Sequence, residues 1–164
     1  MNVRVSTRYT SPVREDPWLS HEQQSTWRAF LAMSAALNAR IERDLQQAAG
    51  MPHAYYQVLA MLSEAPGRSM RMHQLAELVQ ASQSRLSHAI ARLEDYGWVR
   101  REQVQIDKRG QVAILTDAGL QALVEVAPGH AETVRSTMFD PLSDAQLADF
   151  REVCATVLDQ MKGD

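Results

Sequence analysis

The 164-residue sequence lacks most features that mark secreted, membrane-spanning or disulfide-bonded proteins. Its single cysteine, Cys154, excludes an intramolecular disulfide and a multi-cysteine zinc site. No stretch approaches the roughly 20 consecutive apolar residues that a membrane-spanning helix needs. The N-terminal segment has no apolar run typical of a signal peptide, and there are no internal repeats. We therefore expect a cytoplasmic protein without a membrane partner.

Motifs of the common enzyme classes are also missing. The chain has no glycine-rich phosphate loop, no nucleophile elbow and no pair of carboxylates spaced for acid–base chemistry. Its five histidines are isolated in sequence, so we predict no metal site and no cofactor. Cys154 lies on an apolar helical stripe, which favours a buried, inert thiol over a redox switch. These absences predict that the protein is not an enzyme.

Neither sign of charge dominates the whole chain, but the charges are unevenly distributed. The 17 basic and 20 acidic residues leave a net charge of −3. Residues 66–116 hold eight basic and five acidic residues, whereas residues 117–164 hold three basic and nine acidic ones. The basic middle segment is therefore a candidate surface for binding a polyanion.

Hydrophobic periodicity and chain breakers predict a mainly α-helical fold with a small β-hairpin. Gly50, Pro52, Pro66 and Gly97 separate the first predicted elements. The predicted order is a flexible arm (1–17), helices at about 19–49, 53–64, 72–80 and 83–96, a hairpin at about 98–115, and helices at about 117–138, with a break or kink at Pro128-Gly129, and 144–161.

The fourth predicted helix presents a polar face without acidic side chains. Placing residues at 100° steps puts Ser84, Ser87 and His88 opposite the apolar stripe, with Arg85 and Arg92 on one flank. A DNA major groove is about 12 Å wide and admits one such helix, whereas acidic side chains there would be repelled by phosphate. This face predicts a DNA recognition helix.

A basic hairpin follows the fourth helix, carrying Arg100, Arg101, Lys108 and Arg109. A thin, positively charged tip beside a recognition helix can enter the neighbouring minor groove. Since Arg100 and Arg101 alternate along a strand, we expect at most one to face DNA and the other to pair with Glu102 or Asp107. Helix, turn, polar-faced helix and basic hairpin together predict a winged helix–turn–helix.

Residues 27–161 resemble MarR-type (multiple-antibiotic-resistance regulator) winged-helix transcription factors. The resemblance rests on four stretches of sequence: Leu75-Ala76-Glu77, Ser82-Gln83-Ser84-Arg85-Leu86-Ser87, Leu93-Glu94-Asp95-Tyr96-Gly97-Trp98-Val99-Arg100-Arg101, and the wing Asp107-Lys108-Arg109-Gly110 with its exit Leu115-Thr116-Asp117-Ala118-Gly119. It implies that Asp107 braces the wing and that Arg109 reaches the minor groove. The polar and aliphatic strand 101–106 departs from the usual short acidic or proline-containing approach to the wing.

We predict DNA contacts from the recognition helix, the residues that precede it and the wing. The predicted DNA-binding residues are Arg71, Ser82, Gln83, Ser84, Arg85, Ser87, His88, Arg92, Arg101, Asp107, Lys108 and Arg109. Residues 51–116 form the predicted DNA-binding domain. The expected function is a sequence-specific transcriptional repressor; the alternative is a winged-helix protein-interaction module that binds no DNA.

The resemblance implies a homodimer in which the first and last helices of two subunits pack together. Residues 18–50 and 117–164 are the predicted dimerisation segments. The last helix supports this interpretation because little of a chain this small is left to cover its apolar stripe of Leu147, Phe150, Cys154, Val157, Leu158 and Met161. Two recognition helices about 34 Å apart would read a pseudo-palindromic operator.

A small aromatic effector is the last predicted partner. Trp27, His53, Tyr55 and Tyr56 lie where the family often has an effector pocket, between the first, second and fifth helices. Ordinary core and dimer packing is the alternative reason for these four side chains.

Overall fold

The computed structural model describes residues 16–103 and 110–162. Over these ranges the chain is mainly helical, with six α-helices and a small antiparallel sheet, which confirms the predicted fold class. The elements are α1 (His21–Ala49), α2 (His53–Glu64), β1 (Ser69–Arg71), α3 (Met72–Leu78), α4 (Gln83–Asp95), β2 (Val99–Gln103), β3 (Gln111–Leu115), α5 (Asp117–Val134) and α6 (Asp144–Lys162). None of these helices is long and apolar enough to cross a membrane.

The sheet has three strands in the order β1-β3-β2, so the prediction of a two-stranded hairpin is incomplete. β3 pairs with both neighbours: its Ala113 faces Met70 of β1 on one side and Arg101 of β2 on the other. A three-residue strand is too short to show the alternation that identifies strands in a sequence. β1 therefore becomes recognisable only through its pairing with β3.

The hydrophobic core joins α2, α3, α4, the sheet and α5. Its fully buried side chains include Leu59, Leu62, Leu75, Leu86, Ile90 and Leu93. Burying a leucine or isoleucine contributes about 1.5–3 kcal/mol relative to leaving it exposed. Leu78, an apolar residue at the end of α3, is 56% exposed. The helix ends at Leu78 and Gln80 adopts a left-handed backbone (φ 51°), so the chain turns away before covering that side chain.

Hydrogen-bonded caps close α4 at both ends and α5 at its start. Ser82 Oγ accepts a hydrogen bond from the Arg85 N–H at 3.3 Å, which satisfies one of the donors at the start of α4. Gly97 follows α4 with φ 72°. Its N–H donates to the Glu94 carbonyl at 2.9 Å, as in a Schellman motif. At the start of α5, Thr116 Oγ1 accepts from the Gly119 N–H at 3.0 Å.

The C-terminal helices differ from the prediction in one respect. Of the break or kink predicted at Pro128-Gly129, the break is absent: α5 continues through both residues to Val134, and a π-helical turn (Arg135–Phe139) follows it. Proline has a φ that fits a helix, and its missing N–H removes one hydrogen bond locally. α6 begins at a capping box, in which the Ser143 N–H donates to Gln146 Oε1 at 3.0 Å.

The chain divides within α1 into two compact units, one up to Ala36 and one from Leu37. In the N-terminal unit, the Ser20 N–H donates to Gln23 Oε1 at 2.9 Å, a capping box that was not predicted from the sequence. Several apolar side chains of this unit are about half exposed, among them Trp27 (51%), Phe30 (49%) and Leu31 (46%).

In the second unit, Ile41 and Leu45 of α1 are buried, whereas α6 has no buried residue. Cys154 on α6 is half-buried in the single chain, whereas the sequence predicted a buried thiol. Other apolar side chains of α6 are more exposed, among them Val153 (59%), Val157 (47%), Leu158 (51%) and Met161 (69%). This face of α6 is apolar and lacks a covering element among the described residues.

Candidate nucleic-acid interface

The core fixes which side of α4 faces solvent. Leu86, Ile90 and Leu93 are buried, and this anchors one side of the helix to α2 and α3. All the predicted DNA-binding residues at or on α4 lie on the exposed surface: Ser82, Gln83, Ser84, Arg85, Ser87, His88 and Arg92. Between Gln83 and Arg92 none of the residues is acidic. The structure thus brings together a solvent-facing surface of hydroxyls, an amide, an imidazole and guanidinium groups.

The cationic side chains on this surface differ in their partners. Arg85 forms no ion pair with any described residue. Arg92 Nη1 lies 3.3 Å from Asp95 Oδ2, and both side chains are about two-thirds exposed (67% and 68%). An ion pair at such a surface contributes about 0–1 kcal/mol, so Arg92 can exchange it for a phosphate at low cost.

Arg101, predicted to bind DNA, is held by Glu94. Its backbone N–H donates to Glu94 Oε1 at 2.9 Å, and its Nε donates to Oε2 at 2.8 Å. Nη2 is also 2.5 Å from Oε2, and both side chains are half-buried. The side-chain hydrogen bond from Arg101 is the largest reason why the pKa of Glu94 lies below its usual value, against the opposing effect of burial.

The ion pairs of Arg100 and Arg101 differ in part from the sequence-based expectation. It is Arg100 that pairs with Glu102. The Glu94 partner was not predicted because the turn between α4 and β2 separates it from Arg101, and neither the helical nor the strand period continues across that turn. The sequence indicated only that Arg100 and Arg101, adjacent on one strand, face opposite sides of it, so that one of them points away from DNA.

The wing is described only at its base. Gln103 at the end of β2 pairs with Gln111 at the start of β3. The predicted contacts Asp107, Lys108 and Arg109 lie outside the described residues. Arg71, at the end of β1, is exposed and pairs in the sheet with Val112 of β3.

The exit from the sheet into α5 explains the Leu-Thr-x-x-Gly motif. Thr116 Oγ1 lies 2.7 Å from the Gly97 carbonyl and 3.1 Å from the Trp98 carbonyl. A Cβ added to Gly119 would overlap the Trp98 carbonyl oxygen. Threonine and glycine at these positions therefore let the start of α5 pack directly on the turn that follows α4.

The predicted effector residues fall into separate surroundings. His53 and Tyr56 of α2 meet His130 of α5: the ring centroids of Tyr56 and His130 are 4.1 Å apart and those of His53 and His130 are 5.9 Å apart. Tyr55 is half-buried against the core. Trp27 belongs to the N-terminal unit, where its ring stacks on Phe30 at 5.7 Å.

His130 is the member of this ring cluster that was not predicted from the sequence. Its Nδ1 is buried and has no hydrogen-bond partner among the described residues. Burial lowers the pKa of His130, and the neighbouring His53 lowers it further. Burial also lowers the pKa of His53, partly offset by Glu42, and raises the pKa of Tyr56. The cluster is therefore a half-buried junction between α2 and α5 in which burial favours the uncharged form of all three rings.

A cavity of about 180 Å³ lies beside His130, between the part of α1 after Leu37 and α5. Its walls are mostly apolar with three polar side chains, formed by Ile41, Asp44, Leu45, Ala48, Val126, Gly129, His130 and Thr133. Asp44 accepts a hydrogen bond from Thr133 at 2.8 Å and pairs with Arg40. Within the described ranges, no three His, Cys, Asp or Glu side chains are grouped so that they could hold a metal ion.

Comparison with known proteins gives consistent matches. Residues 49–110 match the model of the MarR family. The crystal structure of Sco3205, a MarR family transcriptional regulator from Streptomyces coelicolor in complex with DNA, is 45% identical, covering 90% of this chain and 92% of that one with a TM-score of 0.84. AbsC, a MarR family transcriptional regulator from the same organism, is 36% identical, covering 91% and 100% with a TM-score of 0.83.

A more distant match has the same fold. A mutant of MarR from E. coli, complexed with operator DNA, is 19% identical, covering 84% of this chain and 96% of that one with a TM-score of 0.72. At this level of identity the similarity concerns the fold alone. A search of curated protein sequences found no match.

Proposed function

The chain belongs to the MarR family of transcriptional regulators, and we propose that it binds double-stranded DNA through α4 and the wing. The observation that carries the proposal is the solvent-facing side of α4, which has no acidic residue from Gln83 to Arg92. A helix of this kind fits a major groove, where its side chains meet base edges. The DNA complex of Sco3205, at 45% identity, supports the same activity in this chain.

The proposed contacts follow from position on this surface. Gln83, Ser84, Arg85, Ser87 and His88 would face the base edges and the nearest phosphates, and Ser82 caps the helix beside them. Arg71, Arg92 and Lys108 would contact phosphates, which position the protein without reading sequence. Arg109 would enter the minor groove, and Asp107 would brace the wing.

We further propose that the regulator is a homodimer. In the N-terminal unit and on α6, taken separately, apolar side chains such as Trp27, Phe30, Val157 and Leu158 are about half exposed. A second copy of the chain would remove these side chains from water, at about 25 cal/mol per Å² of apolar surface. Two copies would also present two recognition helices to a pseudo-palindromic operator.

Regulation by a small aromatic compound is the finer part of the proposal. The cavity beside His130 has apolar walls and the polar side chains Asp44 and Thr133, and the rings of His53 and Tyr56 lie next to it. Binding there would favour one arrangement of α1, α2 and α5 over another. A shift of a few ångströms between the two recognition helices would lose one half-site, so the protein would act as a cytoplasmic repressor released by its effector.

Selection from a random-sequence duplex library tests DNA binding. We expect the wild-type protein to enrich one pseudo-palindromic motif and the affinity for it to fall steeply with salt, because phosphate contacts release counterions. Enrichment of no duplex, or association that is insensitive to salt, would leave a winged-helix protein-interaction module as the better description.

A further inference from the structure

Glu94 and Arg101 connect two elements that are proposed to enter adjacent DNA grooves: α4 in the major groove and the wing in the minor groove. Glu94 lies in the last turn of α4, and Arg101 lies in β2, which leads to the wing. Three donors of Arg101 converge on one carboxylate: the backbone N–H at 2.9 Å, Nε at 2.8 Å and Nη2 at 2.5 Å. A planar guanidinium with two donors on a carboxylate fixes direction as well as distance.

The surroundings of this pair distinguish it from the other ion pair on α4. The Arg101 and Glu94 side chains are 31% and 29% exposed, whereas those of Arg92 and Asp95 are 67% and 68% exposed. The single contact of Arg92 at 3.3 Å in solvent is readily replaced by a phosphate. Replacing three short contacts to a half-buried carboxylate would instead leave the charge of Glu94 without its partner.

We propose that Arg101 is a positioning residue that sets the angle between α4 and β2 through Glu94, and that it does not itself contact DNA. The inference rests on the proposed function and changes the role that the sequence suggested for Arg101. Between the two residues the chain turns at Gly97, which has φ 72° and follows α4 directly. The ion pair connects the end of α4 to β2 across this turn. It would therefore keep the separation between the recognition helix and the wing constant.

A double-mutant cycle with salt titration tests the role. The probes are a duplex that the wild-type protein enriches from a random library and a duplex of random sequence. Arg101→Gln and Glu94→Gln should each weaken binding to the enriched duplex about tenfold, and the double variant should weaken it no further, because both act through one interaction. Binding to the random duplex and the salt slope on the enriched duplex should stay as in wild type, which a general loss of stability would not produce.

Arg85→Gln is the matched control, since Arg85 is exposed on α4 without an ion pair to a described residue. It should lower the salt slope by about 0.9 for each phosphate that the variant no longer neutralises. The positioning role is overturned if Arg101→Gln lowers the slope as Arg85→Gln does, or if Glu94→Gln binds as well as wild type or better. Additive effects in the double variant would overturn it too.

A further variant and the result of the duplex selection separate failure of the positioning role from failure to fold and from failure of the proposed function. If Arg101→Gln does not fold, as judged by urea unfolding, Arg101→Lys keeps the positive charge without the guanidinium fork. Arg101→Lys should show the same loss of affinity for the enriched duplex, and wild-type affinity would overturn the proposal. If the wild-type protein enriches no duplex, the proposed function fails and the positioning role with it, whereas wild-type binding with unaffected variants overturns the positioning role alone.

Discussion

The aromatic rings of Tyr56 and His130 lie with their centroids 4.1 Å apart, and they join α2 to α5. His53 extends the contact on the α2 side, where its backbone N–H donates to Glu42 Oε2 at 2.9 Å. The buried Nδ1 of His130 makes the junction sensitive to protonation. A contact between these two elements is therefore a physical link between the proposed effector cavity and the proposed recognition surface.

Acidification should destabilise the fold through this junction. Burial lowers the pKa of both His53 and His130 in the folded state, while in the unfolded chain both titrate near 6.5. The unfolded state therefore binds more protons below about pH 6.5, and the free energy of unfolding falls as the pH drops from there through the folded-state pKa values. Urea unfolding of wild type between about pH 7 and pH 5 measures this loss.

The histidine variants identify the source of that pH dependence. His130→Gln should reduce the pH dependence of the free energy of unfolding. His73→Gln, at an exposed position of α3, should leave that dependence unchanged. A His130→Gln protein with the same pH dependence as wild type would contradict the assignment.

Arg85→Ala should weaken binding to the enriched duplex by about 1–3 kcal/mol, because the guanidinium is exposed on the face of α4 that is proposed to meet DNA. The free energy of unfolding should change little, since Arg85 has no ion pair among the described residues. Fluorescence anisotropy with labelled duplex measures the affinity. Arg43→Ala, an exposed arginine on α1, is the control and should bind like wild type.

Gly119→Ala should destabilise the protein by about 1–3 kcal/mol, because the new methyl group would overlap the Trp98 carbonyl and crowd a Leu115 methyl group at 2.8 Å. Gly129→Ala, also in α5, meets nothing within 4 Å and should stabilise the helix by roughly 0.4–1 kcal/mol. Urea midpoints compare the two. Equal effects of both substitutions would rule out the close contact at Gly119.

Leu158→Asp should reduce self-association, because it places a charge among the apolar side chains of α6 that are proposed to pack on a second copy. Sedimentation velocity measures the oligomeric state. Leu78→Asp is the matched control, since Leu78 is similarly exposed (56% against 51%) but lies on α3. If Leu158→Asp sediments like wild type, α6 does not form the interface.

Much of α4, the proposed recognition helix, could be predicted from the sequence. The period of Leu86, Ile90 and Leu93 and the cap at Ser82 are local patterns, because helix geometry relates residues three and four apart. The partner of Arg101 could not be predicted in the same way. Neighbouring acids such as Glu102 were equally available in sequence, and the direction of the chain after Gly97 selects Glu94.

The effector region was predicted less completely, for the same reason. His53 and Tyr56 share α2 and could be grouped by sequence, but His130 lies more than 70 residues away on α5. Its contact with Tyr56 depends on how α5 packs against α2. The exposed side chain of Leu78 likewise depends on the left-handed turn at Gln80 rather than on the helical period.

Local sequence patterns were sufficient to locate most helix ends, to identify the polar side of α4, and to reveal the resemblance that led to the family. These properties depend on residues within a few positions of one another, whose geometry the backbone fixes. The folded chain was needed to find that β1 completes the sheet, that Glu94 holds Arg101, and that His130 closes the ring cluster. Each of these contacts joins separate elements, and its geometry depends on the packing of the common core rather than on any local pattern.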